Sequence, residues 1–370
     1  MKYLMLCAVI MLTAFTQEPK PTASTSKIQI ALLLDTSNSM DGLIEQAKGK
    51  LWTIVNEFSR YEKGKEAPQL EIALFEYGND RLDANDEWIK QISAFTTDLD
   101  FISQKLFELQ TYGGSEHCGA VIHEANQRLE WSRQKDDLKL IFIAGNEIFN
   151  QGKFNYRDAC AESIGKDIAV NTIYCGDYEQ GVQELWKEGA IIGKGKYINI
   201  DHNRSVTYIE TPYDKKLQEL NEELNKTYIY YGSQGADKKQ NQMMQDSNAE
   251  GFSGANLAER TVSKSSAAYK NAQWDAVDAL KEGEIKAEDL VKDKNLAPEL
   301  QNKTAEEVEK YLEEMNVLRD DVRRKIGAIN IEREAYIAKN SSSEDNTLDG
   351  AIKKVVAELA IAKGFNLKSN

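Results

Sequence analysis

Little in this chain punctuates it or staples it together. Its 370 residues include 5 prolines, 23 glycines and 4 cysteines. So few glycines and prolines exclude a collagenous or linker-like chain. So few cysteines exclude a disulfide-dense scaffold. The formal net charge is -14 at pH 7, and no Lys/Arg cluster of the kind that displaces counterions from a phosphate backbone occurs. Nucleic acid is therefore not an expected partner. Gly113-Gly114, the turn at Gly145 and Gly193-Lys194-Gly195 match neither the phosphate-loop nor the dinucleotide pattern. No internal stretch is apolar enough to cross a bilayer. What remains is ordinary globular usage, 41% hydrophobic and 29% charged, at a length that suggests two or three domains.

The first residues read differently from the rest. Lys2 precedes an apolar run from Tyr3 to Leu12, and small or polar residues follow at Thr13, Ala14 and Thr16. This is the pattern of a secretory signal peptide over 1–16, cleaved near Thr16 or Gln17. The expected mature protein is exported, periplasmic or secreted, with no transmembrane segment. Cleavage removes Cys7 and leaves Cys118, Cys160 and Cys175. An odd count in an oxidising compartment allows at most one bridge. In a parallel α/β unit a helix starts at the edge where the next strand ends. That places Cys160 and Cys175 on one rim and makes them the preferred pair. Cys118 with Cys175 is the rival, and three separate buried thiols are the alternative.

Residues 17–27 are rich in Pro, Thr and Ser and read as a linker. From 28 to 203, strand and helix signals alternate. Ile28–Leu34, Leu70–Tyr77, Leu138–Ala144 and Ile168–Cys175 are near-continuous apolar runs, the mark of strands buried on both faces. Shorter strands are expected at Gln91–Phe95 and Lys196–Ile200. Helices are expected at Gly42–Tyr61, Leu99–Leu109, Gly119–Trp131, Tyr156–Gly165 and Gly181–Gly189, with Asp98 or Asp100 as an N-cap. This order predicts an α/β fold, a doubly wound and mostly parallel sheet covered on both faces. Beyond 203 the signals become helical, at Tyr213–Asn225, Ala255–Lys270, Trp274–Lys281, Ala305–Lys339 and Leu348–Lys363. In the longest, Val308, Met315, Val322, Ile329 and Tyr336 recur every seven residues, while Arg319 and Arg333 interrupt the seam. The pattern suits either a core-facing stripe in a helical bundle or a coiled-coil face. Ser341–Asp345 reads as a loop and Asn346 as a cap. Tyr228–Gly232 reads as a short strand or a docking segment.

The most informative residues follow the first strand. Asp35, Ser37 and Ser39 form an Asp-x-Ser-x-Ser loop, which can aim three oxygen side chains at one point. Hard oxygen donors suit Mg²⁺, with Ca²⁺ or Mn²⁺ as alternatives. In position and in the order of strands and helices, residues 27–203 resemble the von Willebrand factor A domain with its metal-ion-dependent adhesion site. The resemblance implies that Asp35, Ser37 and Ser39 are ligands. It implies that Ser115, after Gly113-Gly114, supplies a hydroxyl from a second loop. A third loop in that family carries an Asp where this chain has Gly145, so the site is incomplete. Glu147, Asn146 or Glu116 could compensate. The resemblance further implies a binding module rather than an enzyme, its metal accepting a carboxylate from a protein partner.

Two other readings stand beside this one. Cys118, expected near a helix start, with His117 adjacent and His123 further along, could form a thiol enzyme of the cell envelope. The long C-terminal helix could instead make the chain a structural assembly protein. A zinc site from His117, Cys118 and His123 matches no standard spacing.

Overall fold

The computed structural model describes residues 25–206, 208–340 and 347–368. The expected signal peptide with Cys7, the expected cleavage position at Thr16 and Gln17, most of the expected 17–27 linker, the expected loop at 341–345 and the expected cap at 346 lie outside them. A six-stranded sheet runs in the order β4-β3-β1-β5-β6-β7. Its members are β1 (Lys27–Asp35), β3 (Gln69–Tyr77), β4 (Ile89–Thr96), β5 (Leu138–Gly145), β6 (Ala169–Cys175) and β7 (Lys194–Ile200). All neighbours are parallel except β3 and β4. Such a sheet needs helices on both faces, and its strands bury both sets of side chains. Along β1, Ile30, Leu32 and Leu34 join one apolar cluster with α1 (Asp41–Ser59) and α2 (Leu99–Glu108), while Ala31 and Leu33 join another with α3 (Cys118–Arg128) and α4 (Tyr156–Gly165). The sheet is therefore doubly wound, as expected. Asp98, rather than Asp100, caps α2 by accepting from Phe101 N at 2.9 Å. The single helix expected over 181–189 is two, α5 (Tyr178–Gln183) and α6 (Trp186–Ile192), because Leu185 between them has φ of 71°.

The sheet's first face does not end at α1. Helices α7 (Asp214–Asn225), α9 (Gly254–Ser265), α12 (Ala305–Asn340) and α13 (Leu348–Ala362) extend the same cluster with Leu217, Leu257, Val322, Ile326 and Ile352. The chain also crosses back over the expected boundary near 203. The strand β8 (Asn366–Leu367) pairs with β2 (Tyr61–Glu62) at the end of α1. Buried Gln46 of α1 donates to the Asp201 carbonyl at 2.8 Å and accepts from Leu348 N at 3.1 Å, fixing the start of α13 to the end of β7. A smaller cluster joins α10 (Ala276–Glu282), α11 (Ala287–Leu290) and the start of α12.

The seam of α12 packs inside this bundle, with Val308, Leu312, Val322 and Ile326 buried, so it is a core-facing stripe and not a coiled-coil face. The two arginines that interrupt it point inward too. Arg319 donates to Asp275 and Asp278 at 2.6 Å and lies 4.2 Å over the Tyr228 ring, while Arg333 donates to Asp214 at 2.8 Å and Glu259 at 2.7 Å. Tyr228–Gly232 is a docking segment that adds one bridge, from Tyr230 to Asp275. A helix without an apolar stripe, α8 (Gly235–Phe252), buries Gln242, Gln245 and Asp246 instead.

Candidate functional site

The loops at the carboxyl end of the sheet are laced together by their own backbones. Thr36 N donates to the Tyr77 carbonyl (2.8 Å), Tyr112 N to Thr36 (2.9 Å), Asn38 N to Gly113 (2.9 Å) and Ser115 N to Gly78 (3.3 Å). The loop after β1, the loop after β3 and the start of α3 thus form one rim, where ligands bind in sheets of this kind. At its centre stands Asp35, the last residue of β1, which is 0% exposed. Its Oδ1 accepts from Ser37 N at 2.8 Å. Its Oδ2 is buried with no hydrogen-bond partner. Native proteins seldom leave a buried carboxylate oxygen unpaired, because the full desolvation cost then falls on it.

Electrostatics sharpen that observation. Burial pushes the Asp35 carboxyl up to about 8; the Ser37 amide opposes the rise, and the nearby Glu116 and Glu147 add to it. Glu116 is itself buried, and its carboxyl is raised by that burial and by Glu147, with a smaller push from Asp80. Two glycines make room for these acids. At Gly78, with φ of +79°, a Cβ would stand 2.8 Å from Asp35 Oδ1 and 2.9 Å from Glu116 Cγ; at Gly114 it would stand 2.6 Å from Glu116 Oε1.

The expected residues are partly brought together. Ser37 and Ser39 have hydroxyls 3.2 Å apart beside Asp35, and Ser39 donates to Asn146 Oδ1 at 3.3 Å. Ser115 lies on the adjoining loop, but its hydroxyl turns to Asp80 Oδ1 at 3.4 Å. Glu147 is exposed, and its carboxylate accepts from Gln151 at 3.3 Å. It acts on Asp35 and Glu116 through its charge. Position 145 is closed to a side chain. A Cβ on Gly145 would fall 2.6 Å from the Tyr77 hydroxyl and 3.1 Å from Asp35 Oδ2, and the Tyr77 O–H donates to the Ala144 carbonyl at 3.0 Å. The Tyr77 hydroxyl thus takes the space that a side chain at position 145 would need. Sequence reasoning did not single out Tyr77, Gly78 or Asp80. Gly78 directly after a strand is a usable signal; Asp80 shares its loop with Asp83, Asp86 and Glu87, and nothing in the sequence separates them.

The cysteine expectations need correction. Cys118, Cys160 and Cys175 are all buried free thiols. Cys160 packs in the cluster on one face of the sheet and Cys175 in the cluster on the other, so the sheet stands between the preferred pair. Cys118 does sit at the start of α3, yet burial pushes its thiol well above the ordinary range, the opposite of an activated nucleophile. The histidines are engaged elsewhere, His117 with Glu87 at 2.8 Å and His123 with Glu162 at 3.0 Å. Among the described residues, no three His, Cys, Asp or Glu side chains are placed to hold a metal. Also among them, no helix is long and apolar enough to cross a membrane.

The half of the chain that carries this rim has a von Willebrand A-like fold: a mostly parallel sheet, helices on both faces, and an Asp-x-Ser-x-Ser loop at the carboxyl end of β1, a strand of the central pairing with β5. No family model matches the chain, and no curated protein matches it. Solved structures do match. BatB from Bacteroides thetaiotaomicron is 16% identical over 47% of this chain and 90% of that chain, with a TM-score of 0.36. An aerotolerance-related membrane protein from Bacteroides fragilis is 18% identical over 47% of this chain and 92% of that one, with a TM-score of 0.32. Proximal thread matrix protein 1 from the mussel byssus, with a zinc-occupied MIDAS motif, is 14% identical over 47% of this chain and 42% of that one, with a TM-score of 0.35.

Proposed function

We propose that the chain is an exported, non-enzymatic module that binds a protein partner through this rim, with a divalent cation at Asp35. The observation that carries the reading is Asp35 Oδ2, a buried carboxylate oxygen with no partner. The donor set around it fits a hard cation: the Asp35 carboxylate, the paired Ser37 and Ser39 hydroxyls, and a second buried carboxylate at Glu116. Ser115 adjoins on the next loop, and Glu147 acts on Asp35 through its charge. Mg²⁺ suits such a set, since it keeps several waters and asks for only one or two carboxylates. When bound, it would supply positive charge and an open position for a partner's carboxylate. The protein's own residues do the rest. Ser37 N orients the Asp35 carboxylate, the laced loops hold the hydroxyls in place, and Tyr77 shuts out a third acid. Burial of the Cys118 thiol weighs against the thiol-enzyme alternative. The apolar run at Tyr3–Leu12 supports export.

Thermal unfolding of chelator-treated protein, with and without Mg²⁺, Ca²⁺ or Mn²⁺, tests the reading. At a concentration near 100 times Kd, a cation that binds only the folded state adds about 2.7 kcal/mol. The wild type should gain stability of that order, and Asp35→Ala should gain none. Equal melting with and without every cation, or an equal gain in Asp35→Ala, overturns the metal.

A further inference from the structure

The rim is more acidic than a cation site needs. Its loops after β1 (36–40), after β3 (78–88), before α3 (109–117) and after β5 (146–155) carry six Asp or Glu against two Lys or Arg. Both of those bases are engaged already: Arg81 lies 4.1 Å over the Tyr112 ring, and Lys153 pairs with Glu87. The strand order then sets exposed acids on either side of Asp35. Because β1 lies between β3 and β5, Asp80 stands on one side and Glu147 on the other. Asp80 accepts from Ser115 at 3.4 Å, and Asn146, the neighbour of Glu147, accepts from Ser39 at 3.3 Å, so the two acids bracket the hydroxyl pair. Beside each acid is an exposed apolar side chain. Tyr112, 46% exposed, has its carbonyl 3.2 Å from Asp80 N, and Ile148, 38% exposed, follows Glu147. Acids alone mark no ligand site; these flank the buried Asp35, whose Oδ2 has no partner.

A divalent cation at Asp35 leaves this surface negative. Asp35, Asp80, Glu116 and Glu147 set four carboxylates against one dication, and a partner's carboxylate adds another. Like charges placed together at an interface reject a partner unless it brings the opposite sign. We infer that the rim selects a polypeptide segment in which the acid that meets the cation is flanked on both sides by Lys or Arg; the inference rests on the rim as a cation site. Neighbouring strands stand about 4.8 Å apart and an extended chain advances about 3.3 Å per residue, so a segment crossing the strand ends reaches Asp80 and Glu147 with bases one or two residues from its acid. Tyr112 and Ile148 take the apolar stems of those side chains while the charged heads meet the acids. An acidic or neutral segment would leave Asp80 and Glu147 uncompensated. A basic segment without an acid would leave the cation's open position to water.

An array of short peptides tests this, each with Asp or Asn at its centre and Lys, Ser or Glu at the flanking positions. It is probed with the full chain in Mg²⁺ and in chelator, with far-UV circular dichroism confirming that each variant is folded. In Mg²⁺ the wild type should hold Lys-flanked Asp peptides about tenfold or more above Glu-flanked ones. Chelator or a central Asn should abolish that binding. Glu147→Lys should remove the preference on one side of the central Asp, and the double variant D80K/E147K should turn it toward Glu. A wild-type preference for Ser or Glu flanks, an unchanged preference in the folded double variant, or no peptide held in Mg²⁺ overturns the inference. Flank-dependent binding that ignores chelator and tolerates a central Asn overturns instead the cation reading on which the inference rests.

Discussion

The two halves of the molecule are held by different physics. The sheet half is stitched by apolar side chains at period two, with Ala31 and Leu33 serving one face of β1 and Ile30, Leu32 and Leu34 the other. The helical half also buries cations. Arg260 is fully buried and donates to Asp246 at 2.5 Å, to Asp100 of α2 at 2.7 Å and to the Gln242 carbonyl at 2.8 Å, and it lies 4.4 Å over the Trp52 ring of α1. Lys264 reaches Asp246 at 3.0 Å and Asn221 at 2.8 Å. These bonds also join the halves, since Asp100 and Trp52 belong to the sheet half. An apolar core is non-directional, whereas a buried charge is tolerable only with each partner in place. The helical half is thus specified by pairings as well as by hydrophobic volume.

The largest effect is expected from Arg319→Met. It keeps the length of the seam residue but strands Asp275 and Asp278, both of which accept from Arg319. The expected loss is about 3–5 kcal/mol in urea unfolding, the cost of breaking one side of a buried pair. The matching change in the sheet, Leu33→Ala, should cost about 2–5 kcal/mol through a cavity. Only the Arg319 variant should change the pH dependence of stability. If it costs under about 1 kcal/mol, the range of an exposed pair, the helical half is held by its apolar stripe alone.

Acid separates the halves more gently. Burial alone would raise the Asp246 carboxyl, but Lys264 and Arg260 outweigh it and hold the group well below its ordinary 3.8. A carboxylate depressed in the folded state adds stability that is fully present above that ordinary value. The stability is lost as pH falls through it toward the folded value. Hydrogen exchange at pH 7 and pH 3 should show α8 and α9 losing protection before β1 and β5. Simultaneous loss everywhere would erase the distinction.

The same contrast explains what could be read in advance. Continuous apolar runs marked β1, β3, β5 and β6 to within a residue or two, because a strand covered on both faces buries mostly apolar side chains. The 18-residue α8 left no such mark: its buried face is Gln242, Gln245 and Asp246, which look like surface until their partners are known. Arg319 and Arg333 read as breaks in a seam for the same reason. At the rim, Asp35, Ser37 and Ser39 were legible because one short loop carries all three. The closure of position 145 was not, since Tyr77 reaches it from a different strand. The Cys160–Cys175 pairing failed because placing residues along a rim does not say on which face of the sheet each one packs.

The most direct test of the rim is anomalous scattering from crystals soaked in Mn²⁺. A peak is expected between Asp35 and the Ser37 and Ser39 hydroxyls, at about 2.0–2.3 Å from Asp35 Oδ2, as hard oxygen coordination requires. A Mn²⁺ peak elsewhere, or none, with Asp35 Oδ2 facing only water, would contradict it.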